Sequence, residues 1–286
     1  MTWTIEGKRV LVTGANSGIG LATATELARR GANVTITARN PQKGESAAAA
    51  IERDAGRSVD VGLLDLASLD SVRSFAADFA DDHDRLDVLV NNAGVMAGSR
   101  RETPDGVEWT FGVNHLGPFL LTNLLTPLLV DSTPSRVITV SSEASRSARA
   151  GLDFDDLQLT SGYSPNKAYA ASKLANILFT VELDRRLSGD GVTARALHPG
   201  VVRTSFGKSA ESSRWMGLLM TTVGPFLKKP EEGAATSVLL ATASDEQVAR
   251  SLYWSDGSPA EPIPAAVDPE AAERLWAVSE QLVGLA

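Results

Sequence analysis

The chain has 286 residues, 43% of them hydrophobic and 22% charged, with a formal net charge of −8 and no cysteine. That length supports one large domain with a substantial core. The acidic balance argues against a nucleic-acid surface, and the missing thiols remove disulfides, thiolate catalysis and cysteine-ligated zinc together.

Short apolar runs alternate with helical patterns almost from end to end. RVLVT, NVTITA, VDVGLLDL, LDVLVNNAG, RVITVSS, VTARALHPG and LYWS read as strands, and the segments between them as helices. Such alternation predicts an α/β fold: a single-domain, Rossmann-type, doubly wound parallel sheet with helices on both faces. No repeat or linker interrupts the rhythm, so one domain over residues 1–286 is the economical reading. The exception is the stretch 205–230, which carries Trp215, Met216, Leu218, Leu219, Met220 and Phe226 between two strand units. No charged-then-apolar leader precedes the first strand and no stretch reads as a membrane span, which predicts a cytoplasmic protein. The histidines at 83, 115 and 198 lack metal-ligand spacing, and no metal is assigned.

The first strand runs straight into TGANSGIG, with Gly14, Gly18 and Gly20 ahead of a helical pattern. Glycines there let backbone approach a pyrophosphate, while a helix N-terminus offers N–H groups and partial positive charge. The bland alternative is a tight strand-to-helix turn; its place on the first strand of an alternating chain favours nucleotide binding. The second strand ends TITARN. An acidic residue there would bind a ribose 2′-hydroxyl, but Ala38 is neutral and Arg39 follows, a pairing suited to a 2′-phosphate. NADP(H) is therefore expected over NAD(H).

Residues 163–173, YSPNKAYAASK, contain Y-x-x-x-K twice. Four-residue spacing puts both members on one face only if both are helical. Pro165 disfavours helical geometry at Ser164 and suits a first helical position, so Ser164 reads as the cap, with Tyr163 outside and Tyr169 and Lys173 inside the helix. The second pair is the candidate for acid-base chemistry, since a nearby ammonium holds a phenol down from about 10.

The ordered set TGANSGIG, Asp65-Leu66, Asn91-Asn92-Ala93-Gly94, Asn114, Ser142, Tyr169 to Lys173 and Pro199-Gly200 resembles the short-chain dehydrogenase/reductase family nearly end to end. FGVNHLGPFLLTNLL, SKLANILFTVEL, LHPGVVRT and LYWSDGSP resemble its retinol-dehydrogenase-like branch. The resemblance implies Tyr169 as general acid/base, Lys173 lowering its pKa and holding the nicotinamide ribose, Ser142 hydrogen-bonded to the substrate oxygen, and Asn114 linking Lys173 to solvent through water. For the cofactor it implies Gly14, Asn16, Ser17, Gly18, Ile19 and Gly20 at the pyrophosphate, and Asp65, Leu66, Asn91, Ala93 and Gly94 around the adenosine. Tyr169, Lys173, Pro199, Gly200, Val202 and Thr204 would serve the nicotinamide end, with 205–230 as a substrate lid, ordinary core cover and an oligomer interface being the alternatives for that stretch. Ser142 and Tyr169 are farther apart than in compact family members, so GLDFDDLQLTSGYSPN must loop out, its Asp153, Asp155 and Asp156 facing water. The implied activity interconverts a carbonyl and an alcohol on an apolar small molecule, reduction preferred, and a homo-oligomer is left open. Two rival readings are a non-catalytic NADP-binding regulator and a light-dependent tetrapyrrole reductase.

Overall fold

The computed structural model describes residues 3–200, 202 and 228–286. Among these the strands are β1 (Arg9–Val12), β2 (Asn33–Ala38), β3 (Asp60–Leu63), β4 (Val88–Asn91), β5 (Ser135–Val140), β6 (Val192–His198), β7 (Tyr253–Ser255) and β8 (Ser258–Pro259). They form one sheet in the order β3-β2-β1-β4-β5-β6-β7-β8. Every pairing is parallel except β7 with β8. The seven strands expected from the sequence are all present. β8 was not anticipated: two residues, one of them Pro259, carry no alternation, and a proline is tolerated there because the strand lies at the sheet edge.

Parallel strands need crossover helices, and the helices cover both faces. On one face lie α1 (Gly18–Arg29), α2 (Pro41–Ala55) and α6 (Pro230–Thr242); on the other lie α3 (Leu69–Asp82), α4 (Trp109–Asp131), α5 (Pro165–Leu187) and α8 (Pro269–Val283), with the short α7 (Asp245–Val248) after α6. Strand side chains alternate accordingly. Leu11, Leu89, Val137, Ala194 and Ala196 enter the core under α3, α4, α5 and α8. Val10, Val12, Val88, Val90, Ile138 and Leu197 enter the core under α1 and α6. Because both faces are dry, the strands read as apolar runs, and burying each such side chain contributes roughly 1.5–3 kcal/mol.

Helix starts follow their caps. Asn40 accepts from Lys43 N at 2.9 Å with Pro41 behind it, and Ser164 accepts from Lys167 N at 3.2 Å with Pro165 behind it. The α5 start therefore falls where Pro165 places it, and Tyr163 lies outside. One expectation needs correcting. Trp109–Asp131 is a continuous 23-residue helical run, long and apolar enough to cross a membrane by length and composition, with mean hydropathy 1.3. Its sequence looks interrupted because Asn114, His115, Pro118 and Pro127 fall within it, yet the helix passes through them by way of a π turn at Gly112–Leu116. Its apolar window is 67% buried inside the fold, as a core helix requires.

Candidate active site

The sheet order reverses between β1 and β4, and the candidate residues gather at the carboxyl ends of the strands around that crevice, where open α/β sheets bind ligands. β1 delivers Thr13 and Gly14, β2 Arg39, β3 Asp65, β4 Asn91 to Gly94, β5 Ser142, and β6 Pro199 and Gly200.

The glycine loop is tight for identifiable reasons. Gly14 and Gly18 have φ of +63° and +59°, which only glycine adopts freely. A Cβ on Gly14 would stand 2.9 Å from Ala93 Cβ, and one on Gly20 would stand 2.8 Å from Gly14 O. Thr13, absent from the expected set, staples this loop to the β4 turn: its Oγ1 accepts from Asn92 N (3.0 Å) and Ala93 N (3.1 Å), while Asn92 Nδ2 donates to Thr13 O (2.8 Å). Its signal in the sequence was only its position before Gly14. Ser17 caps α1 in extended geometry without using its side chain, and Asn16, Ser17 and Ile19 are not buried. The N–H groups of the first turn are thus left without a side-chain acceptor, and the cradle fits a pyrophosphate.

Around it, Arg39 is exposed just past β2 and has no ion pair among the described residues. Asp65 is half-buried, its Oδ1 accepting from Ala67 N at 3.0 Å, and Leu66 is buried against Gly117. Asn91 turns inward, Nδ2 donating to Thr122 Oγ1 at 3.0 Å, so its side chain braces α4 and only its backbone faces the crevice. Its Oδ1 is buried without a partner among the described residues. Gly200 has φ +77°. Val202 bridges to Lys228, and a Cβ on Gly233 would meet Val202 Cγ2 at 2.6 Å and Ile19 Cγ1 at 3.2 Å, which places Val202 beside the start of α1. Thr204 and residues 205–227 of the expected lid lie outside the described residues.

The four expected catalytic side chains come together. Asn114 sits in the π turn, fully buried; its Oδ1 accepts from Val95 N at 2.7 Å, and its Nδ2 donates to Val95 O and to Ser172 Oγ, both at 2.9 Å. A π turn inserts an extra residue and re-aims the side chain, which sequence periodicity alone could register only as a kink. Lys173, 2% exposed, donates from Nζ to Val140 O at 2.9 Å. A Cβ on Gly94 would lie 3.2 Å from that Nζ and 3.6 Å from Asn114 Oδ1, so the two groups flank Gly94. Lys173 Nζ is 5.7 Å from the Tyr169 ring centre, and the Ser142 hydroxyl is near enough to Tyr169 to draw its pKa down. Ser141, the alternative serine, is buried and donates to Lys173 O at 2.7 Å, a purely structural bond. Tyr163 instead donates its hydroxyl to Ala97 O at 3.2 Å.

Electrostatically, burial lowers Lys173 from 10.5 to about 8. Burial also pushes the Tyr169 phenol above its ordinary 10.0, with the Ser142 hydroxyl pulling the other way. The expected depression of Tyr169 by Lys173 is therefore not delivered by the protein alone: both groups are desolvated, and desolvation favours the neutral form of each. The intervening segment does loop out. Asp153 and Asp155 are exposed as expected, whereas Asp156 folds back to accept from Thr160 N (2.8 Å) and Ser161 N (3.1 Å), which lowers its pKa.

Fold and site together define a Rossmann-type protein with a dinucleotide cradle. The profile of the family described as short chain dehydrogenase matches residues 8–154. Retinol dehydrogenase 13 of Homo sapiens is 48% identical over 288 residues, covering 99% of this chain and 86% of that protein. Retinol dehydrogenase 14 of Homo sapiens is 44% identical over 296 residues, with 98% and 88% covered. Among solved structures, an uncharacterised protein from Mycobacterium paratuberculosis superposes with a TM-score of 0.75 at 39% identity, covering 99% of this chain and 98% of that one. A metagenomic short-chain oxidoreductase in complex with NADP gives 0.64 at 27% identity, with 85% and 94% covered. The chain belongs to the short-chain dehydrogenase/reductase family, on its retinol-dehydrogenase-like branch. It is accordingly an oxidoreductase that works between carbonyl and alcohol with a nicotinamide cofactor.

Proposed function

We propose that the chain is a single-domain, NADP(H)-dependent reductase of apolar carbonyl compounds, with Tyr169 as proton donor. The observation that carries this is the convergence of Ser142, Tyr169 and Lys173, the serine hydroxyl near the phenol and the ammonium packed near its ring. When bound, the reduced nicotinamide supplies hydride to the carbonyl carbon. Ser142 orients the carbonyl oxygen, and Tyr169 delivers a proton to it. A phenol kept protonated by burial is suited to donating, which favours the reductive direction. Lys173 holds the nicotinamide ribose and restores charge after transfer, and Asn114, beside it at Gly94, carries the path onward through water. The α1 N-terminus holds the pyrophosphate.

The preference for NADP rests on Arg39, exposed past β2 and without an ion pair among the described residues, with the NADP-bound structural relative in support. An apolar substrate is supported by the retinol-dehydrogenase names of the relatives, retinol being a long hydrocarbon alcohol. The burial of the α4 window supports reading that helix as core and not as a membrane span. The test is NADPH absorbance, beside NADH, across aldehydes of increasing chain length and retinaldehyde. Faster oxidation of NADPH with the longer aldehydes is expected. Firm NADPH binding without turnover on any carbonyl would refute the catalytic reading in favour of a regulatory one.

A further inference from the structure

A second polar cluster stands at the carboxyl ends of β6 and β7. His198, the last residue of β6, accepts from Gly200 N–H at its Nδ1 (3.2 Å). A ring nitrogen that accepts an N–H carries no proton, so the proton is on Nε2. Nε2 lies 3.1 Å from Glu143 Oε2, within ion-pairing distance. Glu143 immediately follows Ser142, and its other oxygen takes Arg146 Nε at 2.6 Å. One half-buried imidazole thus bridges the turn that presents Ser142 and the turn of Pro199 and Gly200. The second turn needs its glycine: Gly200 has φ +77°, a left-handed conformation that other residues adopt only with strain. Tyr253 lies against the histidine, ring centres 5.9 Å apart, and Lys228 is itself paired with Asp256.

We propose that His198 is a positioning residue: as its neutral Nε2–H tautomer it holds the Pro199-Gly200 turn against the Ser142 turn, and its protonation releases Gly200 and weakens cofactor binding. The cofactor part rests on the assignment of Pro199 and Gly200 to the nicotinamide end. The logic is geometric. A second proton must go on Nδ1, where it faces the Gly200 N–H, so that donor loses its acceptor while the contact with Glu143 becomes a full ion pair. The facing charges are mixed, with Glu143 and Asp256 favouring the imidazolium and Arg146 and Lys228 opposing it. Tyr253, also facing the ring, is pushed up to about 12 and adds no charge near neutrality. Burial outweighs the carboxylates and holds His198 below its ordinary 6.5, so the neutral form prevails at pH 7 and is lost as pH falls through the lowered value.

Nitrogen-15 NMR of the full chain labelled at histidine, without cofactor and at about pH 7.5, reads the tautomer directly, and amide exchange at Gly200 reads the bond. A bare Nδ1 and a protected Gly200 amide are expected, with protection lost in His198→Leu and kept in His198→Asn, whose Oδ1 can accept but cannot titrate. From about pH 7.5 to about pH 5, NADPH affinity should fall about tenfold more in the wild type than in His198→Asn, the worth of one hydrogen bond. A protonated Nδ1, equal Gly200 protection in wild type and His198→Leu, or an acid loss undiminished in His198→Asn overturns the proposal. The tautomer and protection are read without cofactor, so their failure strikes the positioning role, whereas a wild type that binds no NADPH at about pH 7.5 strikes the function proposed above.

Discussion

Replacing Lys173 with methionine is predicted to stabilise the cofactor-free fold at pH 7 while abolishing turnover. Lys173 is 2% exposed, and burial lowers its pKa from 10.5 to about 8. At about 1.4 kcal/mol per unit, holding this ammonium charged inside the protein costs about 3 kcal/mol at pH 7. Methionine has similar length and no charge, so the substitution relieves that cost. Against it stands the bond from Nζ to Val140 O, worth roughly 1.5 kcal/mol. Val140 O is not orphaned, because Asn176 Nδ2 also donates to it at 3.3 Å. The net expectation is a gain of about 1.5 kcal/mol. The sign with pH follows from linkage: between the folded and unfolded values the unfolded chain binds the extra proton, so wild-type stability rises with pH across that window. The advantage of Lys173→Met is then full below about pH 8 and gone by about pH 10. Urea unfolding of both proteins at the two pH values measures it. A methionine variant less stable than wild type at pH 7, or a difference that does not change with pH, would refute the account of Lys173 as a charge kept at the expense of stability.

Arg39→Asp should weaken NADPH by about ten- to a hundredfold relative to NADH, through loss of a charge-assisted bond; an unchanged ratio of dissociation constants by calorimetry returns Arg39 to a solvent side chain. Gly20→Ala should lose roughly 1–3 kcal/mol of stability, as overpacking does, along with NADPH affinity. Its Cβ would meet backbone, Gly14 O at 2.8 Å and Ala15 Cα at 3.0 Å, and thermal melts with and without NADPH report both effects. Ser142→Ala removes the hydroxyl that draws the Tyr169 phenol down, so the alkaline limb of the pH–rate profile should move to higher pH while kcat falls about a hundredfold.

The sheet was legible because parallel strands buried on both faces must be apolar runs, and Val10-Leu11-Val12 or Val88-Leu89-Val90 can hardly be anything else. That Tyr169 and Lys173 share one helix while Tyr163 lies outside it was legible because proline fixes where a helix starts, and Ser164 caps α5 as Pro165 requires. What escaped depends on contacts distant in sequence. The partner of Lys173 is a β5 carbonyl, and the hydroxyl that organises the glycine loop reaches backbone some 80 residues away. The bridge from His198 to Glu143 joins two strand ends that only the folded sheet makes neighbours. The π turn at Asn114 was likewise invisible, since an extra residue in one turn changes no residue type.

The central claim is that Tyr169, and not Tyr163, delivers the proton. Its most direct measurement is steady-state reduction of the best carbonyl substrate by Tyr169→Phe and Tyr163→Phe, with NADPH dissociation constants determined alongside. The account predicts a loss of about a thousandfold or more in kcat for Tyr169→Phe with NADPH affinity largely kept, and near wild-type chemistry for Tyr163→Phe, whose hydroxyl only reaches Ala97 O. Equal losses in the two variants, or a loss confined to Tyr163→Phe, would contradict it.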